Sequence, residues 1–253
     1  SITSMEFHTS NSNIIYGGSK GSTSVYKSSD NGITWAQAGT GLPSQSDVVR
    51  ACVGVTADNP SVVYALFGGN NNGFYGVYKS SDEGQTWTQQ ANSPNLLGWS
   101  TTGSDSDGQA WYDLAFEVSP QDENILFVGG VNCWKSTDGG QSWNINTHWY
   151  GGGGANYMHA DEHMLKYNPL NNYVYSGNDG GLYYSSDNGN IWTDISDGLQ
   201  ITQFYSLGVS QTVQDKVITG AQDNGTFLKT ATNWDAVIGG DGMECIIDYT
   251  NSN

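Results

Sequence analysis

The stretch Ser80–Trp87, SSDEGQTW, decides the fold because the chain repeats it. Ser28–Trp35 reads SSDNGITW, Ser136–Trp143 reads STDGGQSW and Ser185–Trp192 reads SSDNGNIW. The shared aspartates, Asp30, Asp82, Asp138 and Asp187, are spaced by 52, 56 and 49 residues. A period of this size marks an array of like supersecondary units, most often a propeller. As a hairpin turn the phrase explains itself. The carboxylate accepts backbone N–H groups one or two residues on. The glycine two places later takes the positive φ that tight turns demand. The hydroxyls bond locally or across the hairpin. The tryptophans Trp35, Trp87, Trp143 and Trp192 open the next strand and wedge against a neighbouring unit. These aspartates are therefore structural, although carboxylates usually attract catalytic readings.

The repeated motif resembles the Asp-box of BNR-repeat β-propellers, a group that includes sialidases, xyloglucanase-type glycoside hydrolases and sortilin-like receptors. The resemblance implies an all-β propeller of four-stranded blades. It implies little about activity, because one fold hosts many functions.

Working outward from the boxes, each closes a module of four short strands, the blade of a propeller. The 253 residues then divide into blades at roughly 1–45, 46–108, 109–158, 159–200 and 201–240, with the start of another at 241–253. The fifth box is degenerate: Thr230–Trp234 keeps the tryptophan and loses the Asp–Gly turn. Met243–Tyr249, MECIIDY, reads as the first strand of a sixth blade. An unclosed arc would leave bare sheet edges, so the expectation is a piece of one longer propeller domain. Two insertions interrupt the rhythm, Asn92–Gln109 and Asn144–His163, and long loops of this kind are functional or mobile.

A formal net charge of −17 and a single arginine, Arg50, exclude several functions. Such a surface repels phosphate, so nucleic acid is no partner. It favours solubility and attracts cations such as Ca²⁺. No window has the apolar length of a membrane helix. Sialidases grip the sugar carboxylate with three arginines, whose fork matches it; one arginine cannot supply that. The widely spaced Cys52, Cys133 and Cys245 form neither a zinc ribbon nor a CxxC motif. Cys52 and Cys245 sit in apolar runs and read as buried hydrophobes; an odd count leaves their pairing open.

Candidate chemistry gathers where first strands begin, since these line a propeller's channel. Those positions hold Asp47, Arg50, Trp111, Tyr112, Asp113, His159, Asp161, His163, Gln203, Tyr205, Asp241 and Glu244. Strand alternation would put His159, Asp161 and His163 on one face, a set able to hold a transition metal. The turns at Asn178–Gly181, Gln222–Gly225 and Gly239–Gly242 are ordinary hairpin chemistry and offer oxygen ligands for calcium. For glycoside hydrolysis, two carboxylates flanking the scissile bond would come from Asp113, Asp161, Asp223, Asp241 and Glu244. Trp111, Tyr112, Trp149, Tyr150 and Tyr205 would bind the ligand, the aromatic rings stacking on sugars.

Residues 109–249 also resemble a group of secreted BNR propellers common in Bacteroidota and often exported by the type IX system. The stretches that carry this likeness are AWYDLAFEVSP, HADEH, GNDGGLYYSSDNG, LQITQFY, GAQDNGT and GGDGMECIID. That resemblance implies a secreted or cell-surface protein and brings no catalytic set. The expected function is binding, adhesion or scaffolding with a glycan or a surface or secreted protein as partner. Glycoside hydrolysis is the alternative, and a sortilin-like peptide receptor a third.

Overall fold

The computed structural model describes residues 1–21, 24–199 and 202–251. It is all-β apart from one short 3₁₀ turn. The first sheet is β1 (Ile2–Phe7), β2 (Ile15–Ser19), β3 (Val25–Ser28) and β4 (Ala36–Gln37). The second is β5 (Val48–Val55), β6 (Val63–Gly69), β7 (Phe74–Ser80) and β8 (Thr88–Ala91). The third is β9 (Ala115–Val118), β10 (Leu126–Gly129), β11 (Cys133–Ser136) and β12 (Asn144–His148), with a fifth strand, β13 (Asn156–Tyr157), added parallel to β12. The fourth is β14 (Glu162–Tyr167), β15 (Val174–Asn178), β16 (Gly181–Ser185) and β17 (Thr193–Asp194). The fifth is β18 (Ser206–Val209), β19 (Val217–Ala221), β20 (Gly225–Thr230) and β21 (Asn233–Ile238). Each four-strand set is an antiparallel meander in chain order, the blade of a propeller. The chain falls into two compact units, Ser1–Ile195 with four blades and Ser196–Asn253 with the fifth sheet.

The box turns are built almost identically. Asp82 Oδ1 accepts the Ser80 hydroxyl at 2.7 Å and the Thr86 amide at 2.8 Å, and Oδ2 accepts the Thr86 hydroxyl at 2.6 Å. Ser80 Oγ in turn accepts the Gly84 amide at 2.8 Å. The carboxylate thus bonds the amides three and four residues on, not those one or two residues on that were expected. The reason is a pair of successive left-handed residues, Glu83 (φ 57°) and Gly84 (φ 84°), which curl the loop back over the carboxylate. Asn31–Gly32, Gly139–Gly140 and Asn188–Gly189 repeat the pair. Each box tryptophan sits one residue before its strand rather than opening it.

Packing between blades follows from the boxes. Trp87 is buried; its Nε1–H donates to Gly84 O of its own turn at 3.2 Å and to Ala38 O of the first blade at 3.1 Å. The Glu83 carbonyl, exposed by the left-handed turn, accepts Tyr16 Oη at 3.2 Å and Lys27 Nζ at 2.8 Å from the first blade. Lys135 Nζ reaches the matching Asn188 carbonyl at 2.6 Å. Three apolar clusters fill the spaces between successive blades of the first unit, around Tyr16 and Phe67, around Tyr64 and Leu126, and around Phe127 and Leu165. All three cysteines are buried free thiols, and burial raises the Cys52 thiol to about 11.

Four expectations change. The first strand of the blade 109–158, expected to begin around Trp111–Asp113, begins only at Ala115, because Gln109–Asp113 forms a turn: Tyr112 N and Asp113 N both donate to Gln109 O, at 2.8 and 3.1 Å. Met243–Tyr249 forms no strand among the described residues; a first strand needs a second to complete its ladder, and none pairs with it. The degenerate fifth box is replaced by a two-residue turn joining Thr230 to Asn233, with Trp234 inside β21. The insertion 92–109 is anchored: Leu96 and Leu97 are fully buried, and Asn95 bonds Phe74 N, Asp105 O and Asp107 O.

Candidate functional site

In the first unit the inner strands β1, β5, β9 and β14 neighbour one another in turn. Their starting ends gather the candidate residues on one rim. Arg50, at the start of β5, donates through Nη1 to Ala110 O and Tyr112 O, both at 3.2 Å. Lys20 Nζ holds Trp111 O at 3.2 Å. These two cations hold the three successive carbonyls of Ala110, Trp111 and Tyr112. They fix a turn that displays Trp111, 56% exposed, and inserts Asp113, which has no exposed surface.

Asp113 faces Asp161. Both oxygens of Asp113 are buried, with no hydrogen-bond partner beyond Asp161 and its own backbone. Burial, and then the charge of Asp161, raise its pKa far above the usual carboxylate range, so Asp113 carries a proton at neutral pH that it shares with Asp161. Asp161 is raised in turn, by burial first. It sits in a left-handed conformation (φ 67°) and accepts Gln109 Nε2 at 3.2 Å. Beside it Asp179, in the β15–β16 turn, accepts His163 Nε2 at 2.6 Å and the Tyr112 hydroxyl at 2.7 Å. The Tyr112 and His163 rings meet edge to face, 5.0 Å between centroids.

Beneath this layer lies Glu162, fully buried. Ser176 Oγ donates to one of its oxygens and Asn178 Nδ2 to the other at 3.4 Å. Burial pushes its pKa up to about 8, helped by the charges of Asp161 and Asp179. Gly129 makes room for it, since a Cβ there would come within 2.5 Å of the Glu162 Cβ. At the far ends of the inner strands, Lys166 Nζ bridges Glu6 at 2.6 Å and Glu117 at 3.3 Å. Glu117, raised by burial to about 7 against the pull of Lys166, also accepts the Tyr167 amide.

The predicted site residues separate in this geometry. Trp111, Tyr112, Asp113, Asp161 and His163 come together. His159 does not join them: its ring packs on Gly180, where a Cβ would lie 2.2 Å away. The left-handed turn at Asp161 interrupts strand alternation, so His159, Asp161 and His163 do not bring their ligating atoms within 4.8 Å of one another. Trp149 and Tyr150 form a second aromatic group. Buried His148 accepts Tyr150 N and Gly152 N at Nδ1, both at 3.4 Å, which leaves Nε2–H to donate to Trp99 O at 3.2 Å. Its ring contacts Tyr150 at 4.2 Å, with Trp149 and Tyr150 exposed above. In the second unit, Asp241 Oδ1 accepts Asp223 N at 3.1 Å and secures the Asp223–Gly225 turn; Tyr205 and Glu244 are exposed.

Sequence reasoning named Asp179 only as part of the Asn178–Gly181 turn and missed Glu162, Gln109 and Glu117. Glu162 and Asp179 had one available signal, a carboxylate next to or within a stretch already singled out. Nothing local marks Glu117, whose partner is 49 residues away.

No family model matches the chain. It is 26% identical over 133 residues to the xyloglucanase Xgh74A of Acetivibrio thermocellus, which covers 50% of this chain and 15% of that protein. It is 26% identical over 196 residues to a xyloglucanase of a Paenibacillus species, covering 70% and 18%. The chain therefore spans less than a fifth of the length of these relatives. Among solved structures, the GH74 xyloglucanase of Xanthomonas campestris superposes with a TM-score of 0.57 at 17% identity, over 95% of this chain and 39% of that one. YCF48 from Cyanidioschyzon merolae gives 0.51 at 13% identity, over 95% and 74%. A nidogen/laminin complex gives 0.53 at 9% identity, over 90% and 74%. Together these establish the propeller fold.

Proposed function

We propose that this chain is part of a secreted or cell-surface propeller that binds a polysaccharide at the rim formed by Trp111, Tyr112 and the Asp113–Asp161 pair. The supporting observation is the exposed Trp111–Tyr112 pair, with rings 5.4 Å apart, fixed by Arg50 and Lys20 beside a polar floor. A rigid aromatic platform over hydrogen-bonding groups suits the apolar face and hydroxyl edge of a sugar ring. The sequence likeness to xyloglucanases makes xyloglucan the first ligand to test.

Hydrolysis is the second reading, and the geometry of this acid pair counts against it. Glycoside hydrolases hold their carboxyl groups roughly 5–10 Å apart, with the scissile bond between them. Asp113 is fully buried and hydrogen-bonds Asp161, so this pair does not stand as two separate carboxyl groups on either side of an open cleft.

Binding to immobilised xyloglucan and other β-glucans, with reducing ends assayed in parallel, tests both readings. Binding without release, weakened about tenfold (about 1.4 kcal/mol) by Trp111→Ala, is expected. Release of reducing ends that persists through purification, and is abolished in Asp161→Asn, would establish the hydrolase instead. Equal binding by wild type and Trp111→Ala would remove this rim from the reading.

A further inference from the structure

We infer, building on the polysaccharide reading above, that Trp99, Trp149 and Tyr150 form a second sugar-binding subsite, separate from the Trp111–Tyr112 rim, for an uncharged polymer that engages both. All three rings are exposed, and they sit on the two insertions that interrupt the blade rhythm. Single exposed aromatics need no explanation, but these are fixed from beneath. Buried His148 is the hub. Its Nδ1 accepts the Tyr150 and Gly152 amides, and Nε2–H donates to Trp99 O. Its ring stacks on Trp149 at 5.7 Å and meets Tyr150 edge to face at 4.2 Å. Asn132, also buried, donates through Nδ2 to Gly98 O and Trp99 O, at 3.3 and 3.1 Å. One imidazole and one amide thus lock a turn from each insertion together, which leaves little ordering for a ligand to impose.

The glycine run 151–154 belongs to the same arrangement. Gly151, Gly153 and Gly154 have positive φ. A Cβ on Gly152 would come within 2.5 Å of the Tyr150 ring, and one on Gly153 within 2.9 Å of Thr101. Glycine lets the loop lie against both neighbours while Tyr150 stays 64% exposed. The groups beside Trp99 are hydroxyls. Ser100, Thr102 and Ser104 bond one another in a ring, at 2.9, 3.2 and 3.1 Å, and the Thr101 hydroxyl has no partner among the described residues. Aromatic faces bordered by hydroxyls match the C–H face and hydroxyl edge of an uncharged sugar. Asp105, which accepts the Ser100 amide at 2.6 Å, disfavours an anionic polymer. The spacing to the rim follows from the chain. Gln109 N donates to Leu97 O at 3.1 Å. Trp99 and Trp111 each lie two residues beyond that bond, so their Cα atoms are within about 20 Å of each other, a distance that one polysaccharide chain spans.

Binding to soluble xyloglucan is measured by calorimetry for wild type, Trp149→Ala/Tyr150→Ala, Trp111→Ala and the three changes combined, with thermal unfolding midpoints as the control for folding. Two sites engaged by one polymer raise its affinity above that of either alone. Trp149→Ala/Tyr150→Ala should therefore weaken xyloglucan binding about tenfold, and the three changes combined should remove it. Trp149→Phe, which keeps a ring, should retain most of the affinity. If the paired variant unfolds, Trp149→Ala alone carries the test. Wild-type affinity in a folded variant lacking these rings overturns the second subsite and leaves the rim reading standing. Affinity lost there but unchanged in Trp111→Ala supports this subsite and removes the rim. Absence of xyloglucan binding by the wild type overturns both.

Discussion

Asp82 and Asp113 are the same residue on the same scaffold, placed to opposite effect. At the outer turn, Asp82 meets the Thr86 hydroxyl and amide, the Ser80 hydroxyl and the Gln85 amide. These bonds, the Thr86 hydroxyl foremost, lower its pKa to about 2. At the inner rim, Asp113 and Glu162 are buried among other acids, and burial raises both. A carboxylate that is fully supplied with donors serves the fold. One buried beside other acids is held towards its protonated form, so the same residue type meets opposite electrostatics at the two places.

Trp87→Ala breaks the outer half of this comparison most strongly. It empties a buried wedge between the first two blades, with an expected loss of about 3–5 kcal/mol in denaturant unfolding. Polysaccharide binding at the inner rim should survive wherever the variant remains folded. Loss of that binding with little loss of stability would show that the two regions are not separable.

Glu162→Gln addresses the inner half. Between its unfolded pKa near 4.3 and its folded value of about 8, the native state holds the extra proton. Stability attributable to this group is therefore fully present below the unfolded value and falls as pH rises through the folded one, by at most about 1.4 kcal/mol per pH unit. The variant should flatten that descent in denaturant midpoints measured from about pH 5 to about 8. An unchanged slope would mean that Glu162 titrates normally.

Asp82→Asn tests the opposite sign. The depressed pKa of Asp82 stabilises the fold above its unfolded value of about 3.9, and that contribution is lost as pH falls through about 2. The variant should be less stable than wild type at neutral pH, and the gap should close in acid. A gap independent of pH would assign the effect to the hydroxyl and amide geometry alone. The smallest stability effect belongs to Trp111→Ala, within about 0.5 kcal/mol for an exposed side chain, although it should weaken glycan binding most.

The boxes were legible because everything they need is local. Serine, aspartate, glycine and the closing tryptophan lie within eight residues, so spacing alone announced the turn and the repeat announced the blades. Trp111, Tyr112, Asp113, Asp161 and His163 were found because they flank the starts of inner strands. Their grouping was not legible. The sequence pattern suggested that His159, Asp161 and His163 share a face, whereas a left-handed Asp161 breaks the alternation and His163 turns to Asp179.

What the amino-acid order determined by itself was therefore the repeat, the hairpin chemistry, the all-β class and the exclusion of a three-arginine site. What the tertiary structure alone decided was which acids meet. Asp113 and Asp161 are 48 residues apart, on different blades, and their pairing rests on Arg50 from a third blade pinning the turn before β9. Short-range hydrogen bonds are encoded in neighbouring residues, but burial and long-range charge are properties of packed surfaces, and these set the protonation of the rim.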